Sequence, residues 1–304
     1  MNSHIGEIYA VITALFWTFT ALAFTSAGKK IGSLAVNFWR LIVGMFFVLL
    51  WSTITLGTSF PVDVPLMGWV WLLTSGFIGV FLGDLFLFKA FIITGPRVAL
   101  LIMTLSPPMA AVLSYFFLGE TMSSIAILGM IMGLIGIGMV VISKKEKKEG
   151  EISSKKLALR YSAKGMLFSL VGAVGQASGL VMSKAGLQYV DSAFHATQIR
   201  LYAGLFGFII LISYLRRWKQ VITAVKNIKA FATLSLGAFF GPFLGISFSM
   251  LAITYTNPGI VQTITSANPV LIIPFSILLF KEKVRPIEII GAVIAVAGVA
   301  LFFI

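Results

Sequence analysis

The chain has 304 residues, of which 59% are hydrophobic and 11% are charged, and its mean hydropathy is +1.02. A water-soluble domain needs far more polar surface, so this composition excludes one and requires lipid as the solvent for much of the chain. The formal net charge of +13 lies in clusters beside apolar segments and not in a groove interleaved with aromatic residues, which argues against nucleic acid as a partner.

Apolar segments long enough to cross a membrane follow one another along the chain. About 20 apolar residues are enough, because a helix rises ~1.5 Å per residue through a hydrocarbon core of ~30 Å. The ten segments are 5–27, 34–57, 67–92, 97–118, 123–143, 163–184, 194–215, 229–253, 259–280 and 286–304. The first of them has no basic n-region, so we interpret it as a span and not as a signal peptide. We predict an all-α membrane protein with ten transmembrane helices.

The only long polar stretch, 144–162, divides the chain near its middle. Residues 79–141 align without a gap with residues 241–303, and the alignment matches glycines, prolines and a glutamate in addition to apolar positions. The matched pairs include Gly79/Gly241, Gly83/Gly245, Pro107/Pro269 and Glu120/Glu282. We therefore predict two five-helix repeats, 1–143 and 163–304, joined by a basic polar linker.

The basic residues mark one face of the membrane. We name the face on which the chain begins face A, and the opposite face face B. Because five spans are an odd number, the second repeat enters the membrane from the opposite side. The loops on face B hold most of the 23 lysines and arginines, and the loops on face A hold none. The positive-inside rule then predicts loop 144–162 in the cytosol and both termini outside, and inverted repeats of this kind are the architecture of many secondary transporters.

Both halves carry the same ordered set of turn and helix-breaking residues. An A-x-x-x-T-x-P junction joins the third and fourth helices, a proline lies in the fourth helix, and a Gly-Glu or Lys-Glu turn precedes a glycine-spaced fifth helix; the residues are Ala90, Thr94, Pro96, Pro107, Gly119 and Glu120 in the first half and Ala252, Thr256, Pro258, Pro269, Lys281 and Glu282 in the second.

This ordered set, over nearly the whole chain, resembles the EamA-type exporters of the drug/metabolite transporter superfamily. The resemblance implies export or exchange of small metabolites through a central cavity between the halves, driven by an ion or substrate gradient. One feature departs from the family. Several members are drawn with both termini in the cytosol, whereas the charges of this chain place them outside.

The prolines at matching places, Pro107 and Pro269, are predicted hinges. A proline inside a helix removes a backbone hydrogen bond and frees a carbonyl group. Spans broken at corresponding positions of two repeats point to a transport site and to the segments that move around it. Ordinary packing is the alternative, since proline is common in membrane helices.

Five side chains deep in the predicted spans are candidates for lining a substrate cavity: Trp17, Arg40, Asp84, Gln176 and Gln262. Trp17 and Gln176 occupy equivalent places in the first and sixth helices. For the two amides, an interhelical hydrogen bond remains the alternative role. Arg40 aligns with Arg200, and each lies about two turns inside its helix, which suggests a structural role shared by the two halves.

Asp84, in the stretch FLGDLFLFKA, is the only acid deep in any predicted span. At the helical rise it lies ~12 Å below face B, and Arg40 lies ~9 Å below the same face in the preceding antiparallel helix. The two side chains can therefore meet. Asp84 either forms a structural ion pair with Arg40, or faces the cavity unpaired, where it would exchange a proton for substrate or bind a substrate ammonium.

The chain lacks the residues that characterise other classes of membrane protein. An intramembrane aspartyl protease needs a second deep aspartate, a metalloenzyme needs a cluster such as H-E-x-x-H, and the only histidines are His4 and His195. The sequence has no cysteine, which excludes thiol chemistry. It also has no repeated element of the kind that forms the selectivity filter of a channel. We expect no enzymatic activity, no catalytic residue, no metal and no cofactor.

The expected function is that of a secondary transporter in the cell membrane that exports or exchanges small metabolites by alternating access. Amino-acid-like solutes are the favoured substrates. The alternative is a carrier of a lipophilic or lipid-linked substrate, and an intramembrane enzyme is less favoured. The expected partners are a small-molecule substrate and membrane lipids, with protons as a candidate coupling ion, and nucleic acid is not among them.

Overall fold

A computed structural model describes residues 4–94, 99, 102–143, 163–268, 270–271 and 286–303. These residues form helices joined by short connections, and no strand occurs among them. The first half contains α1 (Ile5–Ile31), α2 (Ser33–Leu56), α3 (Leu66–Ser75), α4 (Asp84–Thr94), α5 (Ser106–Leu118) and α6 (Ser124–Ser143). The second half contains α7 (Ala163–Leu187), α8 (Ala193–Tyr214), α9 (Trp218–Thr223), α10 (Ile228–Ala238), α11 (Ile246–Tyr255), α12 (Pro258–Thr265) and α13 (Pro286–Ala300).

Within the described ranges, six helical stretches are long and apolar enough to cross a membrane: Ile5–Ile31, Ser33–Leu56, Leu66–Leu87, Ala163–Leu187, Ala193–Tyr214 and Ile228–Tyr255. They correspond to the first three predicted spans and to the sixth, seventh and eighth. The fourth, fifth and tenth predicted spans contain shorter apolar helices, at Ser106–Leu118, Ser124–Met139 and Ile289–Ala300. Of the ninth, residues 269 and 272–280 lie outside the described residues. The all-helical, multi-pass architecture is confirmed, and the total of ten spans stays a prediction.

The third span of each half contains a π-helical segment. Segment π1 (Gly76–Gly83) joins α3 to α4, and segment π2 (Phe239–Gly245) joins α10 to α11. π-Helical turns are rare and are frequent at functional sites. The repeat alignment equates Gly83 with Gly245, so both halves have the same irregularity at the same place. In π2 the ring of Pro242 supplies no backbone N–H, which prevents a regular α-helical bond at that position.

The fourth predicted span of each half is broken at an equivalent position. The backbone turns at residues 104–105 in the first half and at 266–267 in the second. Pro107 follows the first break and lies in the first turn of α5, where a proline costs no helical hydrogen bond. The expectation that Pro107 interrupts the interior of a helix is therefore wrong: the break precedes it. Its repeat partner Pro269 lies outside the described residues.

The two halves interlock through the π segments. A Cβ atom built on Gly76 of π1 would lie 2.3 Å from the carbonyl oxygen of Arg200 in α8. The matching contact in the other direction joins α2 to π2, where a Cβ atom on Gly44 would lie 2.4 Å from Cβ of Pro242. Such close approaches need a glycine, since any Cβ atom would overlap the neighbouring segment of the same chain. Each half thus packs its second span against the π segment of the other.

Candidate functional site

A cavity of about 230 Å³ lies between the halves at the level of the π segments and the helix breaks. Its polar and aromatic lining comes from Trp17, Asp84, Thr104, Gln176, Arg200, Ser249, Gln262, Thr265, Ser266 and Asn268. Apolar side chains, among them Val80 and Ile246, complete the wall. The helix breaks contribute on both sides, since Thr104 and Ser266 occupy the equivalent turns.

Four of the five candidate residues predicted from sequence line this cavity: Trp17, Asp84, Gln176 and Gln262. Arg40 is not among the lining residues and reaches the site through Asp84. Arg200 and Asn268 were not predicted as cavity residues. The alignment of Arg200 with Arg40 could have indicated Arg200 as a cavity residue. The position of Asn268 directly before Pro269 could have indicated Asn268.

The carboxylate of Asp84 is held by two partners. Arg40 on α2 forms an ion pair with its Oδ2 atom, and the exposed fractions of the two side chains are 3% for Arg40 and 14% for Asp84. Nε2 of Gln176 donates to Oδ1 of Asp84 at 2.8 Å. The Arg40 guanidinium also lies 5.9 Å from the centre of the Phe24 ring, within the range of a cation–π contact. Of the two outcomes left open by the sequence, the structure has the ion pair.

The site has an approximate two-fold symmetry in which π1 and π2 are related. Gln176 lies against Gly83 at the end of π1, where a Cβ atom would be 3.4 Å from its Nε2. Trp17 lies against Gly245 at the end of π2, where a Cβ atom would be 3.4 Å from its Cε2. Trp17 of the first span and Gln176 of the sixth therefore each contact the last glycine of the π segment in the opposite half.

The residues at the helix breaks are joined by a hydrogen bond. Nε2 of Gln262, on α12, donates to Oγ of Ser106, the first residue of α5, at 3.0 Å. One bond thus links the broken fourth span of the first half to the broken span of the second. In the part of the chain that the structure describes, no group of three or more metal-binding side chains lies together.

A second polar cluster, which we name the face A latch, consists of Glu7, Glu120, Lys184, Thr256 and Asn257. Nζ of Lys184 lies 2.5 Å from Oε1 of Glu120 and donates to the carbonyl oxygen of Thr256 at 2.8 Å. The hydroxyl of Thr256 donates to Oε1 of Glu7 at 2.7 Å, and Nδ2 of Asn257 donates to Oε2 of Glu120 at 3.1 Å. Glu120 and Thr256 are residues of the shared turn and junction patterns, and here they connect the two halves at face A.

The profile of the EamA-like transporter family matches residues 4–142 and 163–304, and the chain belongs to this family. The family is part of the drug/metabolite transporter superfamily, so the resemblance seen in the sequence is confirmed. The family is one of membrane transporters, which agrees with the apolar helices.

One relative, an "Uncharacterized transporter" of Clostridium kluyveri, is 29% identical to this chain over 149 residues. The alignment covers 46% of this chain and 44% of that relative, so less than half of each is compared. A solved structure, described only as a crystal structure of a protein, superposes with a TM-score of 0.71 over 98% of this chain and 95% of its own, at 21% identity. At that identity the likeness shows the fold alone.

Proposed function

We propose that the protein is a secondary transporter that exports or exchanges small amino-acid-like metabolites across the cell membrane by alternating access. The observation that carries the proposal is the cavity of about 230 Å³, which is lined by both halves and bordered by broken helices at equivalent positions. Sites of secondary transporters are formed in this way, at the interface of two repeats near the middle of the membrane.

The size and lining of the cavity favour a small polar solute over the alternative of a lipid-linked substrate. Since a water molecule takes up ~30 Å³ in the liquid, the space holds about eight water-sized groups, which suits a small solute and not an acyl chain. Amides, hydroxyls and two charged groups face it. A carrier of lipophilic substrates would need a wide apolar groove, and each of these polar groups would then be costly to desolvate.

The architecture proposed for transport is ten spans in two inverted five-helix repeats. The paired π segments, the paired helix breaks and the reciprocal packing of α2 on π2 and α8 on π1 all support a duplicated unit. The excess of basic residues on face B supports a cytosolic position of loop 144–162 with both termini outside. Pro107 and Pro269 are the proposed hinges, next to breaks that leave backbone carbonyls without helical donors.

The face A latch is the proposed gate on that side of the cavity. Its five residues lie at or next to helix ends on face A, whereas the residues that line the cavity lie at least one turn further along their spans. In the conformation described, its contacts hold α1, α7, the end of α5 and the α11–α12 connection together. Opening toward face A must break them, so the latch biases the protein toward the state closed on that face.

Exchange by reconstituted protein tests the proposed function. Vesicles loaded with each of the common amino acids are expected to take up the same labelled amino acid by counterflow for at least one of them. Gln262→Leu removes an amide from the cavity wall and its bond to Ser106, worth about 1 kcal/mol, and is expected to slow exchange roughly fivefold. Gln188→Leu, on the exposed surface, serves as the matched control and is expected to leave exchange unchanged.

Two further arms complete this experiment. An imposed pH gradient tests protons as the coupling ion, and proton coupling is expected to appear as accumulation of solute driven by the gradient. Because Asp84 is paired with Arg40, loss of the gradient effect in Asp84→Asn counts only if counterflow by this variant persists. Absence of counterflow for all amino acids, together with movement of a fluorescent phospholipid between leaflets, would overturn the proposal in favour of the lipid carrier.

Removing the lysine of the latch is expected to expose the cavity to face A. Lys184→Met loses the ion pair with Glu120 and the bond to Thr256, together about 1.5 kcal/mol, which corresponds to a roughly tenfold shift toward the open state. The measurement is the rate at which an impermeant thiol reagent labels a single cysteine at Ser249, in right-side-out and in inverted vesicles. A cysteine at Ser59 marks the vesicles in which face A is accessible, and labelling of Ser59 in right-side-out vesicles is expected from the proposed topology.

Lys164→Met is the matched control for the latch variant. Lys164 is a lysine at the opposite end of the same helix, α7, with its Nζ 5.7 Å from the Phe168 ring centre. Its removal is expected to leave the labelling rate unchanged. Equal rates in the two lysine variants would show that the latch does not control access.

A further inference from the structure

Arg200 is a buried cation with few stabilising polar contacts. The residue is 6% exposed, its Nη1 donates to Sδ of Met250 at 3.5 Å, and its Nε has no hydrogen-bond partner. A thioether is a weak acceptor, and a buried charge without a counter-charge in contact is costly. The Asp84 carboxylate attracts Arg200 only from beyond ion-pair distance, and it is already paired with Arg40. No ion pair involving Arg200 occurs among the residues that the structure describes. A purely structural arginine would be expected to have a carboxylate partner or several carbonyl acceptors, as Arg40 has Asp84.

The repeat shows which partner Arg200 lacks. Arg40 and Arg200 align, and in the first half the acid that neutralises the arginine is Asp84, directly after π1. The aligned position in the second half, directly after π2, is Ile246, which also lines the cavity. The second half therefore has the arginine of the pair, and an apolar residue stands at the position of the acid. The space next to a charge of this kind is where a solute can supply the missing group.

The charges that line the cavity favour a solute that carries one carboxylate group. Asp84 is already compensated by Arg40, so Arg200 leaves one positive charge uncompensated among the described lining residues. A guanidinium group pairs bidentately with a carboxylate, and a single carboxylate balances this charge. A phosphate monoester carries close to two negative charges at neutral pH and would exceed it. A simple amine would add a second positive charge.

A second buried polar atom in the cavity wall also has no partner. Asn268 lines the cavity, and its Oδ1 atom accepts no hydrogen bond. This acceptor suits a donor on the solute, such as an ammonium or a hydroxyl group. From these two features, and resting on the proposed transport function, we propose that Arg200 is the binding residue for the carboxylate of the transported solute, and that the substrate class is small monocarboxylates such as amino acids and hydroxy acids.

Matched sets of probes test the role of Arg200. Each set contains an amino acid, the carboxylic acid without its amino group and the amine without its carboxyl group: leucine, 4-methylpentanoate and isoamylamine form one set, and phenylalanine, 3-phenylpropanoate and phenethylamine form another. The readouts are the shift of the thermal unfolding temperature of the purified protein and the inhibition of counterflow. In the wild-type protein, the carboxylate-bearing members are expected to act and the amines to have no effect. Inorganic phosphate is included and is expected to have no effect.

Variants on both sides of the proposed contact complete the test. Arg200→Gln is expected to weaken carboxylate binding roughly 30-fold or more, because it removes the charged partner of a desolvated group. Ile246→Asp supplies the missing acid next to Arg200 and is expected to have the same effect through charge compensation. Lys164→Gln, which removes a positive charge outside the cavity, is expected to bind carboxylates as the wild-type protein does. Without solute, Arg200→Gln is expected to unfold at or above the wild-type temperature, since it removes an uncompensated buried charge.

The outcomes separate this inference from the proposed function. Counterflow of carboxylates that Arg200→Gln leaves at the wild-type affinity would overturn the role of Arg200 and leave the transporter function in place, and so would counterflow of the amines in preference to the acids. Absence of counterflow for every solute would overturn both. A loss of carboxylate binding in Arg200→Gln and in Ile246→Asp, with correct folding of at least one of them, would support the carboxylate site.

Discussion

Replacing Arg40 with glutamine is expected to lower the free energy of unfolding by roughly 3 kcal/mol, because it removes the ion-pair partner of the Asp84 carboxylate in the interior. The single variant Asp84→Asn is expected to destabilise the protein to a similar extent for the reciprocal reason. Thermal unfolding in detergent, followed by the temperature of the transition, measures both effects.

The double variant Arg40→Gln/Asp84→Asn distinguishes a paired interaction from two separate ones. Without either charge, two amides remain that hydrogen-bond to each other or to Gln176, so the double variant is expected to recover most of the lost stability. Lys89→Gln is the control, since Lys89 is exposed in the middle of α4 with its Nζ 5.6 Å from the Phe86 ring centre. Strictly additive losses in the double variant would contradict the ion pair.

Placing a methyl group on Gly76 is expected to separate the two halves of the protein. In Gly76→Ala the new Cβ atom would lie 2.3 Å from the carbonyl oxygen of Arg200, and this neighbour is backbone, which cannot rotate away as a side chain can. Overpacking of this kind costs ~1–3 kcal/mol or more. Because the displaced backbone belongs to Arg200, exchange of solute is expected to fall at least tenfold as well. Thermal unfolding and counterflow measure the two effects.

Gly138→Ala is the control for this substitution. Nothing lies within 4 Å of the position that a Cβ atom would take on Gly138, which is also inside a membrane helix. Alanine favours a helix over glycine by ~1 kcal/mol, so this variant is expected to keep or raise the stability and to transport normally. Wild-type stability and transport in Gly76→Ala would contradict the close packing of π1 on α8.

The sequence predicts the membrane-embedded, all-helical fold, because the apolar length of a span is a property of the chain itself. It does not locate the irregularities inside the spans. Pro107 indicates a break in the fourth span, but the break falls at 104–105, before the proline, since a proline is tolerated in the first turn of a helix. The π segments have no comparable signal, because GFIGVFLG is as compatible with an α-helix as with a π-helix.

The sequence predicts those residues of the candidate site that are polar within an apolar segment. Asp84, Gln176 and Gln262 differ from their apolar surroundings, and depth arithmetic brings Asp84 to the level of Arg40. The sequence does not separate Arg200 from Arg40, because both lie about two turns inside a helix and both suit a structural role. Only the spatial arrangement shows that one has a carboxylate and the other has a thioether sulfur. The face A latch is not predictable from the sequence for another reason. Polar residues at helix ends are usually solvated, and only the tertiary fold shows that these lie together.

The paired π segments also order the events in the ancestry of the chain. A π-helical segment at aligned places in both halves is most simply inherited from a single ancestral repeat unit, so the change that produced it preceded the gene duplication. The difference between Asp84 and Ile246 must have arisen after that duplication. The scaffold around the cavity is therefore older than the distribution of charge within it, and relatives that share the π segments need not share the solute.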